Sequence, residues 1–404
     1  MIKTTNRNSM LMILVDALPF NQLSRSNTPF LYSLSKNCSI DIEPLFAYRG
    51  IESTIFTGNN PNKHKIWTEY CLNEDKLIKG TKSSLFLKSI IKITDKIPND
   101  FLSGASRYFL YKLFKNEFSP AMIPVELLDY FEMSQKPIIT PYSLQLPTLF
   151  DLIRNNNMSF KFLAPPFENN DKIIFENTME AIGEDKDFWF IKFGMFDYLG
   201  HIFGPDSEEA KNQLRLIDNY IKEIYFRFEE EYPDFTFILL SDHSMAKVTK
   251  EINILEKLEK IEFKVPKDYL FFVDSTMVRF WFFNPKAEEK ILEMLSNLEV
   301  GHILMDDDYK KLNIENIGTK YGEKIFVLDE GFVFFPDFFR KNSKPKGMHG
   351  YASESSRPTL IIESPNVKLE KRKDVKFVDI LPTILDIWGL PKPNLCDGIS
   401  LMKK

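Results

Sequence analysis

Cysteine and histidine are both scarce: 404 residues carry three of the first and five of the second. Cys38, Cys71 and Cys396 lie far apart, without metal-ligand or disulfide-pair spacing, so they read as reduced, structural thiols. Positive charge is also in deficit. With 52 Lys and Arg against 57 Asp and Glu, the net charge of -5 gives no global reason to bind nucleic acid, whose affinity rests on neutralising phosphates. An anionic substrate must be held by a local site. Long apolar runs are missing as well. The run Leu11 to Val15 is stopped by Asp16, too soon for a secretory core or for the roughly 18 apolar residues of a membrane-spanning helix. A cytoplasmic protein without a transmembrane segment is the expectation.

What is present is material for a large core, since 44% of the residues are hydrophobic and 14% aromatic. Short continuous apolar runs at Leu11–Val15, Phe188–Phe193, Phe235–Leu240 and Thr359–Glu363 suit strands buried on both faces. Between them, Leu214, Leu216, Ile217, Ile221, Ile224 and Tyr225 recur at helical spacing within Ser207–Glu229. This alternation predicts an α/β fold with a central, mainly parallel sheet flanked by helices. In such sheets ligands gather beyond the carboxyl ends of the strands, which is where Asp16, Asp197 and Asp242 fall. Candidate ligands run from Asp16 to His349, so residues 1–404 read as one domain interrupted by insertions. Two stretches break the pattern: 72–142, helical, Lys-rich and aromatic, and 258–341, mixed α/β with a helix near Ala287 to Leu298. Both are expected to cap the sheet.

Three of the five histidines sit in suggestive contexts. Asp197 and His201 follow a strand and precede Gly204-Pro205, which reads as a loop folding two ligands onto one ion. Asp242-His243 follows the next strand, where successive side chains point oppositely and can serve two neighbouring ions. His349 is flanked by glycines that let the backbone approach a crowded site. Each motif alone is unspecific, because an isolated Asp-His pair is more often a hydrogen-bonded couple. Imidazole with carboxylate suits Zn²⁺ or Mn²⁺ better than Mg²⁺. His64 reads as structural and His302 as a surface or packing residue. Lys88, Lys92 and Lys96 lie at helical spacing beside apolar residues, a pattern of an ordinary surface helix that also suits a lipid surface or the cover of a lipid- or sugar-linked substrate.

The order of these motifs resembles the type I phosphodiesterase and nucleotide pyrophosphatase branch of the alkaline phosphatase superfamily. The matching stretches include ILVDAL around Asp16, TGNNPNKHKIW at Thr57 to Trp67, FDYLGHIFGPDS at Phe196 to Ser207, ILLSDHSM at Ile238 to Met245, and MHGYASESSRPTLIIESP from Met348. They cover the sheet region in the family's order and leave the two insertions unmatched. The resemblance implies an alkaline-phosphatase-like fold and two divalent ions, Zn²⁺ with Mn²⁺ as the alternative. It places one ion at Asp197, His201 and His349 and the second at Asp16, Asp242 and His243. Such pairs clamp the attacking and leaving oxygens of an in-line displacement at phosphorus. It implies a small phosphorylated substrate: a nucleotide, or a sugar- or lipid-linked ester.

One departure stands out. The family places a Thr or Ser nucleophile at a helix start about nine residues before the Thr-Gly that corresponds to Thr57-Gly58, and here that position is Tyr48. No Ser or Thr occurs between Ile40 and Glu52. Three readings remain open. Tyr48 is the nucleophile, its phenol acidified by the metal and a helix N-terminus. Water activated by metal attacks directly, with Tyr48 and Arg49 binding phosphate oxygens. Or the site binds metal and ligand without turnover. Ser53 and Thr54 are poorer candidates because they lie inside the helix that Gly58 ends, while backbone N–H groups near Gly50 and Ile51 favour an anion. Hydrolysis and transfer to an alcohol are both compatible with the motifs.

Overall fold

The computed structural model describes residues 9–79, 85–94, 96–113, 121–165, 170–365, 367–370 and 372–403. Six strands form its central sheet: β1 (Met10–Val15), β2 (Ser39–Asp41), β3 (Phe160–Leu163), β4 (Phe188–Phe193), β5 (Thr236–Leu240) and β6 (Thr359–Glu363). Their order is β2-β6-β5-β1-β4-β3. Strands β1, β3, β4 and β5 run parallel, and β6 is antiparallel to both its neighbours.

The central strands are apolar at nearly every position because helices cover both faces. On one face Leu11, Ile13 and Val15 pack with Ala210, Leu214, Ile217, Ile221 and Ile224. On the other, Met10, Met12 and Leu14 join Phe188, Phe190, Ile51, Ile55 and Phe56. Four helices position the site: α1 (Arg49–Thr57), α2 (Asp171–Ala181), α3 (Met195–Phe203) and α4 (Glu208–Glu231). Ser207 caps α4 by accepting from the Ala210 N–H, and Gly58 ends α1 in the left-handed conformation at φ 65°. Register pairs Leu14 with Lys192 on one side and with Leu240 on the other, so Asp16, the start of α3 and Asp242 leave the sheet at one edge.

Within 72–142 lie the helices Glu74–Lys79, Leu85–Thr94 and Asp100–Leu113. Within 258–341 an antiparallel sheet runs Tyr269–Val273, Met277–Phe282, Lys324–Leu328, Gly301–Ile303, beside the helix Pro285–Ser296. The two segments are not separate covers: Leu87, Ile91 and Leu110 share one hydrophobic cluster with Leu270, Phe272 and Trp281. Lys88 reaches the buried Asp129 at 2.9 Å, whereas Lys92 and Lys96 are exposed. Cys71 and Cys396 are free thiols, and the Cys38 side chain lies outside the described residues. Among the described residues no helix is long and apolar enough to cross a membrane.

Candidate metal centre

Residues 197–201 are helical, not the loop expected from the nearby glycines. The reason is a cap supplied from elsewhere in the chain. Asp171, at the start of α2, accepts from the N–H groups of Gly194 (2.9 Å) and Met195 (3.3 Å) and from Gln213 Nε2 (3.0 Å). This satisfies the first donors of α3, which starts as β4 ends. Asp197 and His201 then share one helix face, with Nε2 of His201 3.4 Å from Oδ2 of Asp197. His201 Nδ1 donates to the Gly347 carbonyl at 2.8 Å, so Nε2 is the nitrogen turned toward Asp197. That approach requires glycine: a Cβ on Gly347 would lie 2.6 Å from the Gly200 carbonyl oxygen. His349, two residues on, places Nε2 3.7 Å from Asp197 Oδ1.

The second group forms around β1 and β5. His243 Nε2 lies 3.0 Å from Asp16 Oδ1 and 3.8 Å from Asp242 Oδ1. Asp242 and His243 thus face the same carboxylate instead of diverging as consecutive strand residues would. The chain turns after Leu240, held by Ser241 Oγ, which accepts from the Leu18 N–H and donates to the His243 carbonyl, both at 2.8 Å. His243 Nδ1 donates to the Ser244 carbonyl at 3.0 Å. The ligand atoms of Asp197, His201 and His349 lie within 4.8 Å of one another, as do those of Asp16, Asp242 and His243. The His243 and His349 rings stack at 3.7 Å, and Glu354 ties their loops together by accepting from Ser244 Oγ and the Gly350 N–H.

Electrostatics differ sharply between these imidazoles. Burial pushes His243 down, but Asp242 and Asp16 outweigh it and hold the ring at about 10. His349 is pushed well below its ordinary value by burial and by the His243 charge. Asp197 is held well below the usual carboxylate range, because the adjacent His201 outweighs its burial.

Sequence reasoning missed one residue at the centre. Lys192 of β4 puts Nζ 2.9 Å from Asp16 Oδ2, 3.2 Å from Asp242 Oδ2 and 3.3 Å from Glu52 Oε1. Burial opposes its charge, yet the three carboxylates raise its pKa well above that of a free lysine. Its signal was visible as the only charge in the apolar run FWFIKF.

The first group fits a divalent ion. Asp197 Oδ1 is buried without a hydrogen-bond partner among the described residues, beside an imidazole held neutral and another whose Nε2 faces the same carboxylate. In the second group Asp16 Oδ1 is similarly unpartnered, but Oδ2 of both Asp16 and Asp242 already meets the Lys192 ammonium.

Tyr48 precedes the first turn of α1. Its Oη hydrogen-bonds Thr276 Oγ1 at 2.5 Å, in the turn between Tyr269–Val273 and Met277–Phe282, and Thr276 in turn donates to the Gly350 carbonyl. Burial and the nearby Asp274 push its pKa up from the ordinary phenol value. Backbone donors at the start of α1 are also spoken for: the Gly50 N–H bonds Trp67 and the Ile51 N–H bonds Tyr48. Arg49, partly exposed, pairs loosely with Glu69 at 3.7 Å, and its Nε lacks a hydrogen-bond acceptor among the described residues. Ser53 Oγ donates to Gln135 and Thr54 Oγ1 meets His64 Nε2. His302 is exposed on the second sheet.

A mainly parallel sheet with helices on both faces and Asp/His groups at its carboxyl edge defines an alkaline-phosphatase-like protein. More narrowly, the family model for type I phosphodiesterase / nucleotide pyrophosphatase matches residues 10–352, and the chain belongs to that family. The fold is similar to that of murine ectonucleotide pyrophosphatase / phosphodiesterase 5, solved as an inactive variant in complex with AMP. The TM-score is 0.69 at 12% identity, over 98% of this chain and 100% of that one. The human counterpart gives a TM-score of 0.67 at 13% identity, over the same shares. A segment of 69 residues is 32% identical to GPI ethanolamine phosphate transferase 1 of Neurospora crassa, spanning 17% of this chain and 7% of that protein.

Proposed function

We propose that this chain hydrolyses an ester of a small phosphorylated compound, using a divalent ion held by Asp197, His201 and His349. The observation that carries the reading is the buried, unpartnered oxygen of Asp197 between two imidazoles that are free to act as ligands. An ion there would lend Lewis-acid charge to a phosphoryl oxygen and acidify water near neutral pH. The chain's own residues hold and orient. Arg49, partly exposed at the start of α1 and only loosely paired with Glu69, suits a phosphate oxygen. Asp171 holds α3 in place, and Gly347 fixes the His201 tautomer. Water, not Tyr48, is the attacking group in this reading, since the Tyr48 oxygen is engaged by Thr276. Nucleotide esters are the first substrates to test, because the murine relative binds AMP.

The similarity to GPI ethanolamine phosphate transferase 1 favours a second reading, transfer of a phospho-alcohol group to a hydroxyl acceptor. One assay separates the readings: turnover of bis(p-nitrophenyl) phosphate and nucleotide esters with Zn²⁺ or Mn²⁺, with and without an added sugar or glycerol acceptor. Hydrolysis lost on chelation and reduced at least about 100-fold in Asp197→Asn supports the proposal. Full turnover by metal-free protein overturns it. Acceptor-dependent product above release to water replaces hydrolysis with transfer. Bound metal without turnover of any aryl phosphate, phosphodiester, phosphonate or sulfate ester marks a silent binding protein.

A further inference from the structure

Lys192 is the one charged residue on β4, and the strand leaves it no choice of direction. It shares a sheet face with Phe188 and Phe190, the face covered by α1, and register sets it beside Leu14, two residues before Asp16. An ammonium has three N–H donors and no acceptor. All three find carboxylates: Asp16 Oδ2 at 2.9 Å, Asp242 Oδ2 at 3.2 Å and Glu52 Oε1 at 3.3 Å. No donor is left over for a substrate.

The same contacts decide what a second metal would meet. Asp242 Oδ1 accepts from the N–H groups of Ala17 and His243, and its Oδ2 meets Lys192. Asp16 gives Oδ2 to Lys192 and turns Oδ1 to His243 Nε2 at 3.0 Å. A divalent ion drawn to Asp16 and Asp242 would therefore meet the ammonium already held between them, a like charge at close range. Without the lysine, the carboxylates of Asp16, Asp242 and Glu52 would face one another with no cation between them.

We infer that the Lys192 ammonium is a built-in substitute for the second divalent ion, so that the chain binds one metal per molecule, at Asp197, His201 and His349. The inference rests on the proposed metal-dependent function and deepens it: a fixed monovalent ammonium takes the place of the second divalent ion. Charge stabilisation is then weaker than in a two-metal clamp, and the second cation cannot be removed by chelation. Lys192 is a positioning residue, holding Asp16, Asp242 and Glu52 without touching the substrate.

Metal content of the purified full-length protein, dialysed against Zn²⁺ and then metal-free buffer, tests this by elemental mass spectrometry. One ion per chain is expected for the wild type, none for Asp197→Asn, and two for Lys192→Ala, with Lys192→Arg staying at one. Two ions in the wild type and one in Asp197→Asn overturn the inference while leaving the metal-dependent function intact. No ion in the wild type overturns the proposed function itself. A folded Lys192→Ala that still binds one ion shows that the lysine is not what excludes the second. Should Lys192→Ala fail to fold, the wild type and Asp197→Asn decide alone: a fall from one ion to none supports the inference, and one ion retained in Asp197→Asn overturns it.

Discussion

Tyr48→Phe separates a phenol that attacks phosphorus from one that holds the cap against the sheet edge. The change removes a single oxygen. The ring stays where it is, beside Gly350, and Thr276 keeps its own hydrogen bond to the Gly350 carbonyl. What disappears is the Tyr48 Oη to Thr276 Oγ1 bond, with the longer contact from the same hydroxyl to the Gly350 carbonyl (3.4 Å), together worth about 0.5–1.5 kcal/mol net. Urea unfolding should therefore register a loss of about 1 kcal/mol with an unchanged m-value. For catalysis, kcat/KM on a chromogenic phosphodiester should stay within about tenfold of wild type, because no reacting atom has been deleted. A nucleophile behaves differently: its removal costs about 1,000-fold or more. A drop of that size in a variant that unfolds as expected would refute the assignment of water as attacker and return Tyr48 to the chemistry.

Three other perturbations probe the scaffold around the centre. His64 is buried, accepts from the Ile66 N–H at Nδ1, meets Thr54 at Nε2, and is pushed down to about 3 by burial. Its folded pKa lies below its unfolded value near 6.5, so the stability it contributes is present above that pH and is lost as pH falls toward about 3. The loss is about 1.4 kcal/mol per unit, or about 2–3 kcal/mol between pH 6.5 and 4.5; unfolding of wild type and His64→Gln at several pH values should show a flatter slope in the variant, and parallel slopes would contradict the reasoning. Asp171→Ala strands the N–H groups of Gly194 and Met195, so zinc affinity, read by competition with a chelating dye, should fall about 10- to 100-fold. Gly350→Ala places a Cβ 2.6 Å from the Tyr48 ring at φ 80°, so it should both destabilise the protein by at least about 1 kcal/mol and weaken metal binding through His349, measured by the same two assays.

How far the centre could be read from sequence depended on whether a residue's surroundings are local. Asp16 and Asp242 were legible because each ends a continuous apolar run, and a strand buried on both faces announces itself within five or six residues. Strands β2 and β3 escaped notice because they are three and four residues long at the sheet's edges, where burial is incomplete. Residues 197–201 looked like a loop because their helix start carries no capping side chain of its own; the cap is Asp171, contributed by another helix. Tyr48 sits at the first turn of α1, where local rules promise free backbone donors and an acidified phenol. The Trp67 carbonyl takes the Gly50 N–H and Thr276 meets the Tyr48 hydroxyl, and neither is near Tyr48 in sequence.

Lys192 shows the same division within one side chain. Its identity was plain in FWFIKF, but its meaning required knowing that β4 lies beside β1 in a register that sets it against Leu14. Ligand type is a property of the residue, whereas ligand availability belongs to the hydrogen-bond network around it. Asp242 illustrates the consequence: its carboxylate lies within ligand range of Asp16 and His243, and the same carboxylate accepts from two backbone donors and an ammonium. The fold brings two sets of ligand atoms together, Asp197 with His201 and His349 and Asp16 with Asp242 and His243, and only the second has an ammonium set among its carboxylates.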